Sequence, residues 1–216
     1  MPSSSKLSQS ETRKLIHAYY AATSYTDALI GEVVGELERL GLRDNTVIIL
    51  WGDHGWKLGE YGAWCKHTNF ELDTHVPMIL SVPGQSSAGE KTPALVEFVD
   101  IYPTLAELCG LEVPAHCEGT SMLPLLADPQ RRWKEAAFSQ YPRRGGTMGY
   151  TMRCGAWRYT EWIDLSAGQP RFRELYDHRG DPLETVNQVS HADKQQILKR
   201  LCEKLHNRIN PPQGRL

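Results

Sequence analysis

Apolar residues at Leu15, Ile16, Tyr19, Tyr20, Ala22, Leu29, Val33, Val34, Leu37 and Leu40 recur at helical spacing. Ser8 and Glu11 have the spacing of a capping box ahead of that run, and Gly41 follows its last apolar residue as a helix stop does. Asp44-Asn45 then reads as a turn, and 47-VIILW-51 as a short, continuous, β-branched strand of the kind buried on both faces of a parallel sheet. A second such run is 76-VPMILSV-82, with Pro77 near its start, as at an edge or an irregular beginning. The segment 83-PGQSSAGEK-91 is a loop. In 94-ALVEFVDIYPTLAELCGL-111 a brief strand is expected, then a helix opened by Asp100, with Pro103 in its first turn and Gly110 past its end.

The period changes after about residue 117. The stretch 120-TSMLPLLADP-129 reads as a short helix or a loop. The runs 136-AAFSQY-141, 148-MGYTMRC-154 and 157-WRYTEWI-163 are short, aromatic and β-branched, and Gly155-Ala156 joins the last two as a hairpin turn would. A last helix carries Ile197, Leu198, Leu201, Leu205 and Ile209 on one face. The expected organisation is an α/β part over 1–117, a connecting segment over 118–135, and a small antiparallel sheet with a C-terminal helix over 136–216.

Composition narrows the function. The chain has 216 residues, 40% of them hydrophobic, with a formal net charge of -2. A nucleic-acid binder would show a basic stripe, which the pairs Arg131-Arg132 and Arg143-Arg144 do not make. No apolar run approaches membrane-spanning length, and 1-MPSSSKLSQSE-11 has no apolar core of the kind a secretion signal needs. The five cysteines (Cys65, Cys109, Cys117, Cys154 and Cys202) are scattered, with no CxxC, and read as free thiols rather than a disulfide framework. They leave the compartment unknown.

Candidate chemistry sits at 50-LWGDHGWKLGEYGAWCKHTNF-70. Asp53 and His54 come directly off the end of an expected buried strand, where ligands bind in open α/β sheets. An Asp there can be an oxygen ligand for a divalent cation, and a neighbouring His can add a nitrogen ligand or donate a hydrogen bond to an anion. Gly52 and Gly55 let the backbone turn sharply beside them. Lys57 and Lys66 are cations for an anionic substrate, and Trp56 and Trp64 can stack on a ring. Against this stand plainer readings: a helix cap and a surface histidine, a solvated lysine, and two tryptophans filling gaps in a core.

The ordered set of segments changes that balance. The stretch 51-WGDHGWKLGEYGAWCKHTNFELDTHVPMILSVPG-84 resembles the second metal-binding region of the sulfatases, most closely the iduronate-2-sulfatase-like branch. The resemblance continues, in order, through 97-EFVDIYPTLAELCGLEVP-114, 138-FSQYPR-143, 148-MGYTMR-153, 157-WRYTEW-162 and 174-ELYDHRGDPLETVN-187. It implies the C-terminal part of a sulfatase/alkaline-phosphatase-like α/β sandwich plus a small antiparallel-sheet subdomain. At matching positions it implies that Asp53 and His54 are metal ligands, for calcium or alternatively magnesium, and that Lys66 is the lysine contacting the sulfate ester. Trp56 and Trp64 would help shape a sugar pocket, and His75, in Thr-His-Val-Pro, is read as structural.

The same resemblance shows what to look for elsewhere. The family's nucleophile is a formylglycine made within a Cys/Ser-x-Pro-x-Arg motif, and no Cys or Ser of this sequence stands in one. The family's first Asp-Asp metal pair is not found either. The expectation is therefore half of a sulfate site, completed by an N-terminal half in cis or on a second chain, with a sulfated carbohydrate as substrate. By itself the chain is expected to be inactive, to bind metal weakly, and to expose a large apolar surface where the long helix from Glu11 would pack on further strands. Intact relatives of this branch are commonly exported or lysosomal. Two alternatives stay open: a phosphate- or phosphonate-ester hydrolase of the alkaline phosphatase superfamily, and a non-catalytic partner or carbohydrate-binding remnant.

Overall fold

The computed structural model describes residues 7–209, which divide into two compact units. The first comprises residues up to Lys66 together with Val76–Gly84; the second comprises His67–His75 and the chain from Gln85 onward. The segment 85–117, grouped with the α/β part on sequence pattern, thus belongs to the second unit.

In the first unit, α1 (Gln9–Arg39) begins at the expected capping box, with the Ser8 side chain accepting from the Glu11 amide and Glu11 reaching back to the Ser8 amide. It ends at Leu40, and Gly41 takes φ +68, a left-handed conformation that costs a residue without Cβ little. No residue of α1 is buried, and Leu15, Tyr20, Tyr25, Leu29 and Val33 are exposed. Strand β1 (Ile48–Trp51) leads into the Asp-His-Gly loop, and β2 (Lys57–Leu58) with β3 (Trp64–Cys65) forms a small hairpin. After the short helix α2 (Glu71–Thr74) of the second unit, the chain returns to the first as β4 (Met78–Ser81).

Strand β4 lies antiparallel to β1, with Trp51 opposite Met78 and Ile48 opposite Ser81. This corrects the expectation of a parallel strand buried on both faces. A two-stranded sheet has too little surface around it to cover both sides, and Leu50, Trp51 and Ile79 remain exposed.

After α2, the second unit continues beyond Gln85 with α3 (Ile101–Leu108), as expected; the brief strand expected before it is instead irregular chain and one 3-10 turn at Phe98–Asp100. Asp100 is fully buried, accepting from the Thr120 amide and pairing with Lys134 at 2.6 Å. The short α4 (Leu123–Ala127) connects to a four-stranded meander: β5 (Ala136–Arg143), β6 (Thr147–Cys154), β7 (Trp157–Asp164) and β8 (Gln169–Asp177). Strand β8 departs from the sequence pattern, because Arg171, Arg173 and Glu174 leave it without a sustained apolar alternation.

Alternation along these strands gives the sheet two different faces. On one face, Phe138, Met152, Tyr159 and Leu175 stand opposite one another in a row across all four strands. Helix α5 (Gln195–Ile209) lays Leu201 and Leu205 on that row, forming the main hydrophobic core. The other face carries Thr151, Arg158 and Thr160, all buried and polar.

Candidate functional site

The end of β1 delivers Asp53 and His54 into the loop, and β3 delivers Lys66 directly after Cys65. Lys66 Nζ lies 2.5 Å from His54 Nε2, while His54 Nδ1 lies 2.9 Å from the Gly55 carbonyl oxygen. A carbonyl oxygen only accepts and an ammonium only donates, so these partners assign the ring proton to Nδ1 and the lone pair to Nε2. Asp53 Oδ2 is 3.3 Å from the same Nε2, and Asp53 Oδ1 accepts from the His54 amide. A carboxylate, an imidazole lone pair and an ammonium therefore converge on one point. The Asp53 side chain is 82% exposed and that of His54 28%, so the group is open to a ligand.

The two tryptophans separate here. Trp56 stacks on His54 with ring centroids 6.1 Å apart, and its ring also stacks against Tyr19 of α1 at 6.0 Å. Trp64 lies over Gly59 in the β2–β3 hairpin; a Cβ added at Gly59, whose φ is +119, would sit 3.5 Å from its ring. Lys57 does not present a cation to a ligand, since it is 1% exposed. Left-handed backbone recurs around the lysine: Tyr61, Cys65 and His67 have φ of 58, 68 and 87. Non-glycine residues in that region cost of order 1 kcal/mol or more each, and no sequence pattern announced them.

A calcium ion takes six to eight oxygens. Among the described residues, the groups of three His, Cys, Asp or Glu side chains whose ligand atoms converge are Glu161–Cys202–His206 and Glu71–His178–Glu184, and neither includes Asp53 or His54. One carboxylate and one imidazole do not make a calcium shell, so the residues present fit a contribution to such a site and not the whole of it.

His75 has a structural partner in the second unit. Its Nδ1 is 3.2 Å from Glu71 Oε1, and this hydrogen bond raises the His75 pKa. Glu71 in turn anchors the polar face of the sheet. Arg158, 3% exposed, donates to Glu71 and, through Nε at 2.6 Å, to Glu184, which His178 also contacts at 2.7 Å. Burial alone would push the Glu71 carboxyl up, but the bond with His75 and the charges of Arg158 and Arg153 hold it far below the ordinary carboxylate range. Sequence reading passed over this network because its partners lie 26 and 87 residues apart and leave no local pattern.

Residues 2–111 match the sulfatase family model, and residues 59–210 match the model of the C-terminal part of N-sulphoglucosamine sulphohydrolase. The chain belongs to the sulfatase family. Human iduronate 2-sulfatase is 33% identical to this sulfatase chain over 81% of its length, covering 44% of the human protein. Among solved structures, an enzyme in complex with its substrate D-glucosamine-2-N,6-O-disulfate superposes with a TM-score of 0.76 at 28% identity, over 88% of this chain and 40% of that one. The phosphonate monoester hydrolase of Agrobacterium radiobacter does so with a TM-score of 0.78 at 27% identity, over 87% of this chain and 39% of that one. The chain thus spans less than half the length of each of these relatives. It corresponds to the C-terminal portion of the α/β sulfatase fold, and no helix among the described residues is long and apolar enough to cross a membrane.

Proposed function

We propose that this chain supplies one side of a sulfate-ester hydrolase site acting on a sulfated sugar, with Lys66 as the group that meets the ester. The observation that carries this reading is the placement of the Lys66 ammonium on His54 Nε2 beside the Asp53 carboxylate. The three groups together are close to electrically neutral. Asp53 and the His54 lone pair would hold a divalent cation, and Lys66, carrying like charge, would then pair its ammonium with an anion. Lys66 then neutralises charge on the ester and on the leaving oxygen, where charge develops. Trp56, held against His54, forms an apolar wall for a sugar ring, and Trp64 supports the hairpin that presents Lys66. The metal (calcium on this reading), when bound, would polarise the ester; Asp53 and His54 are its contribution from this chain, and the remaining ligands and the nucleophile come from outside these residues. Support for a sulfated sugar comes from two relatives, one named iduronate 2-sulfatase and one solved in complex with its substrate D-glucosamine-2-N,6-O-disulfate.

The purified chain is assayed against an aryl sulfate and a 2-sulfated uronate disaccharide with calcium, and the disaccharide's binding is measured with and without its sulfate. No turnover is expected from the chain alone. Weak binding that depends on the sulfate, and that Lys66→Ala reduces about tenfold, is expected from one lost charge-assisted contact. Turnover by the chain alone would overturn the incomplete-site reading, and equal binding of sulfated and desulfated sugar would overturn the role of Lys66. A second reading, hydrolysis of phosphonate or phosphate esters, draws on the likeness to the phosphonate monoester hydrolase. An aryl phosphonate preferred over the aryl sulfate would favour it. Sulfate-independent sugar binding would instead mark a non-catalytic carbohydrate module.

A further inference from the structure

We infer that the second unit carries a binding site for a zinc-class divalent ion between β7 and α5, with Glu161, Cys202 and His206 as ligands. Cys202 and His206 are four residues apart on α5 and therefore project from one face of the helix. Glu161 is fully buried on the sheet face that α5 covers, two residues from the core residue Tyr159. The three ligand atoms lie together: Cys202 Sγ is 3.4 Å from Glu161 Oε1 and 3.9 Å from His206 Nε2, and His206 Nε2 is 2.7 Å from Glu161 Oε2. With zinc bonds of about 2.3 Å to sulfur and about 2.0–2.2 Å to nitrogen and oxygen, the edges of a tetrahedral site are roughly 3.3–3.6 Å. The nitrogen–oxygen edge has to open and the sulfur–nitrogen edge to close by a few tenths of an ångström; both involve His206, whose side chain is 42% exposed and has room to move.

The ligand chemistry points the same way. The thiolate decides: sulfur beside an imidazole and a carboxylate suits zinc, whereas calcium and magnesium do not take thiolate ligands. Two anionic ligands balance one dication. The Tyr159 hydroxyl and Arg173 Nε both donate to Glu161 Oε1, which orients the carboxylate and leaves Oε2 toward the helix. The exposed side of His206 is the entry path, and a water fills the fourth position. The other converging group, Glu71–His178–Glu184, is not such a site, because the Arg158 guanidinium already lies on both of its carboxylates.

The test uses the full chain with zinc or cobalt alone. One cobalt ion per chain is expected, with a thiolate-to-cobalt charge-transfer band and the intense d–d bands of a four-coordinate site. Cys202→Ala abolishes the charge-transfer band, His206→Ala weakens binding about 100-fold or more, and Cys65→Ala leaves both unchanged. On the unmodified chain, zinc slows alkylation of Cys202 while the exposed Cys109 reacts as before, a readout that needs no variant to fold. Zinc at 100-fold excess over its dissociation constant raises Tm by roughly 5–10 °C. Absence of the band, its persistence in Cys202→Ala, or alkylation of Cys202 unaffected by zinc each overturns the site.

Discussion

Arg158 is a residue whose loss the second unit should tolerate poorly. Its guanidinium is 3% exposed and serves two carboxylates: Glu184, fully buried, at 2.6 Å from Nε, and Glu71 through the other arm of the fork. Arg158→Met fills most of the volume but leaves both acids without that cation. Removing one partner of a buried pair costs about 3–5 kcal/mol, since the charge left behind has lost its hydration and its counterion. For a chain of this size that corresponds to a fall in Tm of roughly 6–20 °C. His178 on Glu184 and Arg153 near Glu71 remain, which places the expected value toward the lower end.

The pH dependence carries the sharper test. Glu71 is held below its ordinary value of 4.5, so its ionised form contributes stability that is fully present above about that pH and is lost as the pH falls toward the folded value. The variant lacks the part of this contribution that comes from Arg158, while His75 and Arg153 keep theirs. The gap between the two proteins should therefore be widest at pH 7 and narrow on acidification below about 4.5. Hydrogen exchange of the β6 and β7 amides, measured from pH 7 down to the acid range, follows this unit without interference from the other. A gap under about 1 kcal/mol at pH 7, or one that stays constant into acid, would refute the reasoning.

Gly119→Ala should destabilise the second unit by about 3 kcal/mol or more, because the added Cβ would meet the Val99 carbonyl oxygen at 1.8 Å and backbone cannot step aside as a side-chain tip can; unchanged urea unfolding would contradict this. Leu201→Ala, at a position 1% exposed in the core against the sheet, should cost about 2–5 kcal/mol, checked by the same titration. The exposed apolar residues of α1, β1 and β4 should make the isolated chain self-associate as its concentration rises, and Leu29→Glu with Val33→Glu should lessen this in sedimentation velocity; a wild-type chain that stays monomeric throughout would count against it. The raised His75 pKa adds a stabilising contribution that is present below about 6.5 and lost as pH rises through the folded value, worth a fraction of 1 kcal/mol at so exposed a side chain and absent in His75→Ala.

Local signals in the sequence determined most of the elements. The capping box at Ser8 and Glu11, the glycine stop at Gly41, the apolar runs of β1 and β4 and the hairpin turn at Gly155-Ala156 each depend on neighbours within a few residues. The order of the motifs around Asp53, His54 and Lys66 likewise determined the family, because those residue types must recur at that spacing for the backbone to bring them together. Only the tertiary structure decided the rest. That β1 pairs antiparallel with β4, that β8 completes the sheet despite its charges, and that Lys66 sets its ammonium on His54 Nε2 depend on contacts between positions distant in the chain. The same holds for Arg158 between Glu71 and Glu184, and for Glu161 beneath Cys202 and His206. A buried charge is stable only where folding brings it a partner, and a linear pattern does not record which distant residue that will be.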